Sequence, residues 1–252
     1  MSARVRLLIV AGLLALVVLA PAAAPSDPMA TDTSAALQPP GGSHVLGTDR
    51  LGRDVLSRLL YGGRRSVLIA GLATAIAVGA GVLLGLTGWG RLDAPVGALT
   101  DALLAIPNLL LALAVMTLLG AGGLALAPAT GIALIAPFAR VTRGAVLAVR
   151  ELPYVEAARG AGAPVGWILA RHVAPNIAPT LLAYAGVIFA YSVLNSAALS
   201  FLGLGGDLGV PDWGTMLYDG RVTFRSAPWV STAPGAAITL LVLAINGVTG
   251  RG

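Results

Sequence analysis

The sequence predicts an all-α, polytopic membrane helix bundle of about six transmembrane helices, on the strength of its composition and the length of its apolar runs. Of the 252 residues, 57% are hydrophobic and only 11% charged, too little polar surface to coat a globule of this size. Runs long enough to cross roughly 30 Å of hydrocarbon as helices recur along the chain, with nearly all the charge between them.

In chain order the expected spans are residues 7–24, 66–88, 99–120, 123–139, 176–199 and 229–248. The first also has the shape of a signal peptide, since Arg4 and Arg6 precede an apolar core and Ala20, Ala22 and Ala24 suit a signal peptidase. As a retained span or a cleaved leader, it leaves Pro25 outside. The fourth is short and contains Pro128 and Pro137, so a re-entrant course is open to it; neighbouring helices can satisfy the backbone groups that prolines free.

All sixteen basic residues are arginine. With the amino terminus cytoplasmic, inner segments hold Arg4, Arg6, Arg91, Arg140, Arg143, Arg150, Arg159, Arg171 and Arg251 against Asp93, Asp101, Glu151 and Glu156, so the whole net charge of +5 lies inside. This is the positive-inside bias, and it puts both termini in the cytoplasm. The arginines report topology and give no indication of nucleic acid. With no cysteine, the chain has no disulfide framework or thiolate metal site.

Residues 1–43 read as an N-terminal transmembrane anchor and external linker, the stretch from Pro25 to Ser43 being rich in Pro, Ser, Thr and Asp. Residues 44–252 read as the main membrane domain. Beyond His44, Val55, Leu56, Leu59 and Leu60 recur at helical spacing among Asp54, Arg58 and Arg65. That predicts a short amphipathic helix at the outer surface, with Asp49 and Asp54 each near a helix start. Its plain reading is a solvated, self-paired helix resting on lipid headgroups.

The inner segment, about residues 140–175, holds five arginines. Tyr154 to Gly162 reads as a small-residue helix stopped by glycine, and Pro164 opens a second. Glu156 and Arg159 can pair on one face. Ala157, Ala158, Gly160, Ala161 and Gly162 leave a bare backbone surface that another protein can approach closely, with Trp167 and Ile168 as an anchor beside it. A folded loop without a partner is the other reading. Between the last two spans, Ser200 to Gly214 makes tight turns, and its aromatics suit a membrane interface.

Several chemistries fall away. Without lysine there is no Walker A loop, so ATP is not expected on this chain and energy must come from elsewhere. His44 and His172 fall on opposite sides of the membrane, and no HExxH motif occurs. Ser192, Ser196 and Ser200 have no base at membrane depth to activate them. Asp101 is the acid to consider for ion coupling, but with Thr100 it sits at the cytoplasmic start of span three, where a cap and dipole partner are expected.

Glu156-Ala157-Ala158, then Gly162 after three residues and His172-Val173-Ala174-Pro175 after nine more, resembles the EAA loop of binding-protein-dependent importer permeases. Gly47-Thr48-Asp49-Arg50-Leu51-Gly52-Arg53-Asp54, with Ser57, Arg58, Gly62, Arg64 and Ser66 beyond it, is similar to a signature of the second permease subunit in peptide and nickel importers. Ser200-Phe201-Leu202-Gly203-Leu204-Gly205 and Trp213-Gly214 resemble two later signatures of that subunit, and the likeness extends over about residues 44–246.

The resemblance implies a type I ABC importer permease fold in a bacterial or archaeal inner membrane. It implies a heterodimer with a second permease, two cytoplasmic ATPases that use ATP and Mg, and an external substrate-binding protein. Glu156, Ala157, Ala158, Arg159, Gly162, Trp167 and Pro175 would form the ATPase-coupling loop. Gly47, Asp49, Gly52, Arg53, Asp54, Ser57 and Arg58 would form an external segment that faces a partner or supports a gate. The implied cargo is di- or oligopeptides, with nickel or another small solute as the alternative; a membrane scaffold recruiting a cytoplasmic partner is the reading from a different class. His172 and Ala174 depart from the broad pattern, which has isoleucine and leucine there. The family also usually continues through a charged tail, whereas this sequence ends at Gly252.

Overall fold

The computed structural model describes residues 12, 14–15, 17–205 and 209–249, without the side chains of residues 124 and 248–249. Its helices are α1 (Val55–Leu86), α2 (Asp93–Leu104), α3 (Asn108–Leu119), α4 (Gly123–Ala133), α5 (Ile135–Arg150), α6 (Pro153–Gly160), α7 (Val165–Ile168), α8 (Ala174–Phe201), α9 (Trp213–Gly220) and α10 (Trp229–Thr249). Among the described residues, four stretches are long and apolar enough to cross a membrane: Val55–Trp89, Ala125–Arg150, Val165–Phe201 and Trp229–Gly247. The pair α2 and α3, bent by 95°, adds a fifth if taken as one span. Of the first expected span, residues 7–24, residues 7–11, 13 and 16 lie outside the described residues; 12, 14–15 and 17–19 are helical and Ala20–Ala23 form a 3-10 turn.

The breaks between helices differ from the expected ones, and proline accounts for most of them. The third expected span is not one rod: it breaks at Ala105–Pro107, because Pro107 biases the residue before it away from helical backbone. Asp101 caps nothing, because α2 already begins at Asp93. It lies exposed in the second half of α2, 3.7 Å from Arg140, with both side chains more than 60% exposed. The fourth span runs on through Arg150, interrupted at Leu134, where the ring of Pro137 would otherwise meet the carbonyl of residue 133. Before α8, Leu169–Val173 forms a π-turn; Pro175 has no N–H to offer residue 171, and the wider turn accommodates this.

At the other end, the expected short amphipathic helix and the second span are one helix, α1. Gly62 and Gly63 do not stop it, because they lie against α9: a Cβ on Gly63 would sit 2.8 Å from Cζ2 of Trp213. The stretch 25–43 is also more than a linker. Asp32 and Leu37 donate backbone N–H bonds to Leu51 and Asp49, and Gln38 accepts one from Thr48. These pairings join residues about 10–20 apart in sequence, which composition does not reveal.

α1 is the central helix, packed on α4, α5 and α8. Gly81 and Gly85 let α5 approach closely: a Cβ on Gly81 would lie 2.8 Å from that of Phe138, and one on Gly85 would collide with Thr142. Small residues at a helix crossing serve this purpose in a membrane, where apolar side chains gain little by leaving lipid for protein. Apolar layers fill the bundle from Val55, Trp213 and Met216 near the start of α1 to Val146, Val155, Ile168 and Ile177 beside its far end.

Candidate functional site

Residues 44–58 gather at the start of α1 around a buried ionic cluster. Asp54 is the N-cap of α1: its Oδ2 accepts from the Ser57 N–H at 2.8 Å, and its Oδ1 meets His44 Nδ1 at 3.0 Å. Asp49 is not at a helix start. Its Oδ1 accepts from the backbone N–H groups of Leu51 and Arg53, while its Oδ2 lies 2.6 Å from Arg53 Nε and 3.6 Å from Arg58 Nε. Opposite stands Asp219 of α9, whose Oδ2 accepts from Arg53 Nη2 at 3.1 Å and Arg58 Nη2 at 3.3 Å. The four side chains are no more than 6% exposed. Burial raises the Asp219 pKa, against the pull of Arg58 and Arg53.

Two arginines and two aspartates balance, so the cluster carries no net charge. Desolvating such groups costs about as much as their attraction returns, and their contribution is to fix geometry. Here they tie the 44–58 segment to α9. Gly47 and Gly52 close the loop at φ +73° and +71°; a Cβ at Gly52 would run into the Asp32 carbonyl. Ser57 Oγ accepts from the Ser26 N–H at 3.1 Å, and Trp229 Nε1 donates to the Thr48 carbonyl at 3.1 Å. The self-paired solvated helix is thus corrected: Arg53, Asp54, Ser57 and Arg58 are buried and face the protein. Sequence reasoning missed Asp219, for which no spacing signal existed, and Ser26, which sat in the supposed linker.

The second site lies at the far end of α1, about 48 Å away at 1.5 Å per residue. There α6 ends in a Schellman turn: Gly162, at φ +81°, donates its N–H to the Arg159 carbonyl, and Ala163 donates to Ala158. Val155 and Ile168 are buried beneath, with Val146, Val149, Val173 and Ile177. Glu156, Ala157, Gly160, Ala161, Gly162, Val165, Gly166 and Trp167 are exposed above, while Ala158 is half-buried. Trp167 packs edge-on against His172, ring centroids 5.0 Å apart. Pro175 is exposed in the first turn of α8.

Arginine in this region is engaged more in structure than in pairing with Glu156. Arg159 lies over the Trp89 ring at 4.9 Å, Arg150 Nη1 donates to the Gly88 carbonyl at 3.0 Å, and Arg143 makes a bidentate pair with Asp93. Three arginines thus hold the turn after α1 against α5 and α6. The sequence singled out the arginine-rich segment but not Trp89 or Asp93, its partners across the bundle.

The fold is that of an ABC importer permease. It matches inward-facing conformations of the MetNI methionine ABC transporter with a TM-score of 0.63 at 22% identity, over 77% of this chain and 93% of that one. It also matches an amino acid ABC transporter crystallised with histidines, with a TM-score of 0.61 at 19% identity, over 77% of this chain and 91% of the other. At these identities the likeness is one of fold.

Residues 77–251 match the binding-protein-dependent transport system inner membrane component, and the chain belongs to that family. It is 36% identical over 245 residues to the dipeptide transport system permease protein DppC of Alkalihalophilus pseudofirmus, covering 96% of this chain and 81% of that protein. It is 41% identical over 236 residues to the di/tripeptide transport system permease protein DppC of Pseudomonas aeruginosa, covering 90% and 78%. The glutathione transport system permease protein GsiD of Pectobacterium atrosepticum is 38% identical over 212 residues, covering 82% and 70%.

Proposed function

We propose that this permease imports di- and oligopeptides, as one half of a heterodimeric pathway driven by two cytoplasmic ATPases and fed by an external binding protein. The names of the relatives support the cargo class. In this reading both termini are cytoplasmic, ATP and Mg are used by the ATPases, and this chain performs no hydrolysis.

The observation that carries the reading is the exposed turn of α6 and α7. Val155 and Ile168 anchor it from below, while Glu156, Ala157, Gly160, Ala161 and Gly162 offer a surface of low relief above. A groove in an ATPase can close on such a surface with little side-chain ordering to oppose it. Force applied there has two stiff routes into the bundle: the continuous helical stretch Val165–Phe201, about 55 Å long, and the Arg159–Trp89 contact to the end of α1. The segment 44–58 would steady the opposite end, where the binding protein docks.

The test is Glu156→Lys/Gly162→Leu in the reconstituted complex. A Cβ at Gly162 meets nothing within 4 Å, so a leucine side chain there starts out into open space. It strains a left-handed backbone and stands in the way of a close partner. Membrane insertion and binding-protein docking should persist, while co-purification of the ATPases and substrate-stimulated ATP hydrolysis fall; normal levels of both would refute the coupling assignment.

A further inference from the structure

Along its open face, α8 carries a stripe of uncharged polar side chains. Thr180, Tyr184, Tyr191 and Asn195 fall within about 60° of arc at 3.6 residues per turn and extend over about 22 Å of rise, most of a bilayer's hydrocarbon depth. Thr180 and Tyr191 are exposed, Tyr191 by 50%, and Tyr184 and Asn195 are partly so. Asn195 Nδ2 is shielded without a hydrogen-bond partner, and neither tyrosine hydroxyl bonds to a described residue.

Some other polar groups in the spans are paired within the bundle, although Thr130, Ser200 and Ser231 also bury a hydroxyl without a described partner. On the buried flank of α8, Ser192 Oγ accepts from Thr74 Oγ1 at 3.2 Å, and Ser196 Oγ donates to the Val193 carbonyl at 3.1 Å. The open flank of α1 presents Leu68, Leu72 and Leu83, as suits a surface that meets lipid. Hydroxyl and amide groups left without partners in hydrocarbon are costly, and polar side chains in spans face protein or water.

We infer that this face of α8 lines the water-filled route through the permease pair and hydrogen-bonds the main chain of a passing peptide. The inference rests on the peptide-import reading above. Every peptide offers backbone N–H and C=O groups whatever its side chains, and the exposed phenol and hydroxyl groups of the stripe can both donate to and accept from them. None of the four carries a charge that would hold a peptide terminus in place.

The chain has no cysteine, so single substitutions Thr180→Cys, Tyr184→Cys, Tyr191→Cys and Asn195→Cys can be read in the reconstituted complex with cysteine-free partners. The probe is an impermeant methanethiosulfonate, which attacks the thiolate, a form available in water and not in lipid. Labelling at Thr180→Cys and Tyr191→Cys should run at least about tenfold faster than at Leu72→Cys or Leu83→Cys, because only wetted positions ionise, and excess dipeptide should slow it. Tyr191→Phe should raise KM for dipeptide uptake about two- to tenfold, the size of one hydrogen bond, with binding-protein affinity unchanged. A complex that transports dipeptide while the four cysteines stay as inert as the leucine controls overturns the stripe, whether lipid or a dry subunit contact covers it, and leaves peptide import standing. Fast labelling slowed by a metal ion or another solute, with no dipeptide uptake, overturns the peptide reading and the contact with it.

Discussion

Removing Asp219 is the most demanding test of the buried cluster at the start of α1. In Asp219→Ala, Arg53 and Arg58 lose an acceptor at 3.1 and 3.3 Å, and two buried guanidinium groups are left with the single carboxylate of Asp49. Breaking a buried ion pair from one side costs about 3–5 kcal/mol, chiefly as uncompensated charge. Asp49 remains 2.6 Å from Arg53 and 3.6 Å from Arg58, so the lower end, about 3 kcal/mol, is expected. At roughly 2 °C per kcal/mol for a chain of this length, the unfolding midpoint should fall by about 6 °C. Tryptophan fluorescence of the purified protein in detergent would follow it, since Trp229 donates to the Thr48 carbonyl beside the cluster. Asp219→Ala/Arg58→Met restores the charge balance and should recover part of the loss, giving a coupling of about 1–3 kcal/mol. An Asp219→Ala midpoint within about 1 °C of the parent, as for an exposed pair, would refute the view that the cluster acts as one buried unit.

Three further outcomes are expected. Asp101→Asn should change stability by less than about 0.5 kcal/mol, because its partner Arg140 and Asp101 itself lie mostly in the open; a loss as large as that of Asp219→Ala would show that Asp101 is buried in the assembled complex. Gly52→Ala should destabilise by roughly 1–3 kcal/mol, since it needs a left-handed backbone and drives a Cβ into the Asp32 carbonyl; an unchanged melting curve would mean the 25–43 stretch does not pack there. Ser34→Cys should react with an impermeant thiol reagent on intact cells and Ala161→Cys only after permeabilisation, both positions being exposed; the reverse pattern would invert the topology.

The sequence alone determined the solvent, the helical class and the two informative segments. Hydrophobic length fixes which stretches can lie in lipid, because the backbone there must satisfy its own hydrogen bonds. The α6–α7 turn was legible too: glycine at a left-handed position followed by proline is a local signal, and Gly162 with Pro164 needs no distant partner to be read. Contacts that join residues far apart in the chain became legible in the folded bundle alone. Arg53 and Arg58 look self-paired or solvated until Asp219, over 160 residues on, is found beside them. The 25–43 stretch looks like a linker until its backbone pairs with residues 48–51. The break before Pro137 was marked by its proline, whereas the expected 99–120 span took no account of Pro107; whether neighbouring helices would straighten or accept either depended on packing. Apolar patterning is a local property that the bilayer reads directly, whereas buried polar partners are chosen by which helices meet, and in this bundle close approach at Gly63, Gly81 and Gly85 sets those meetings.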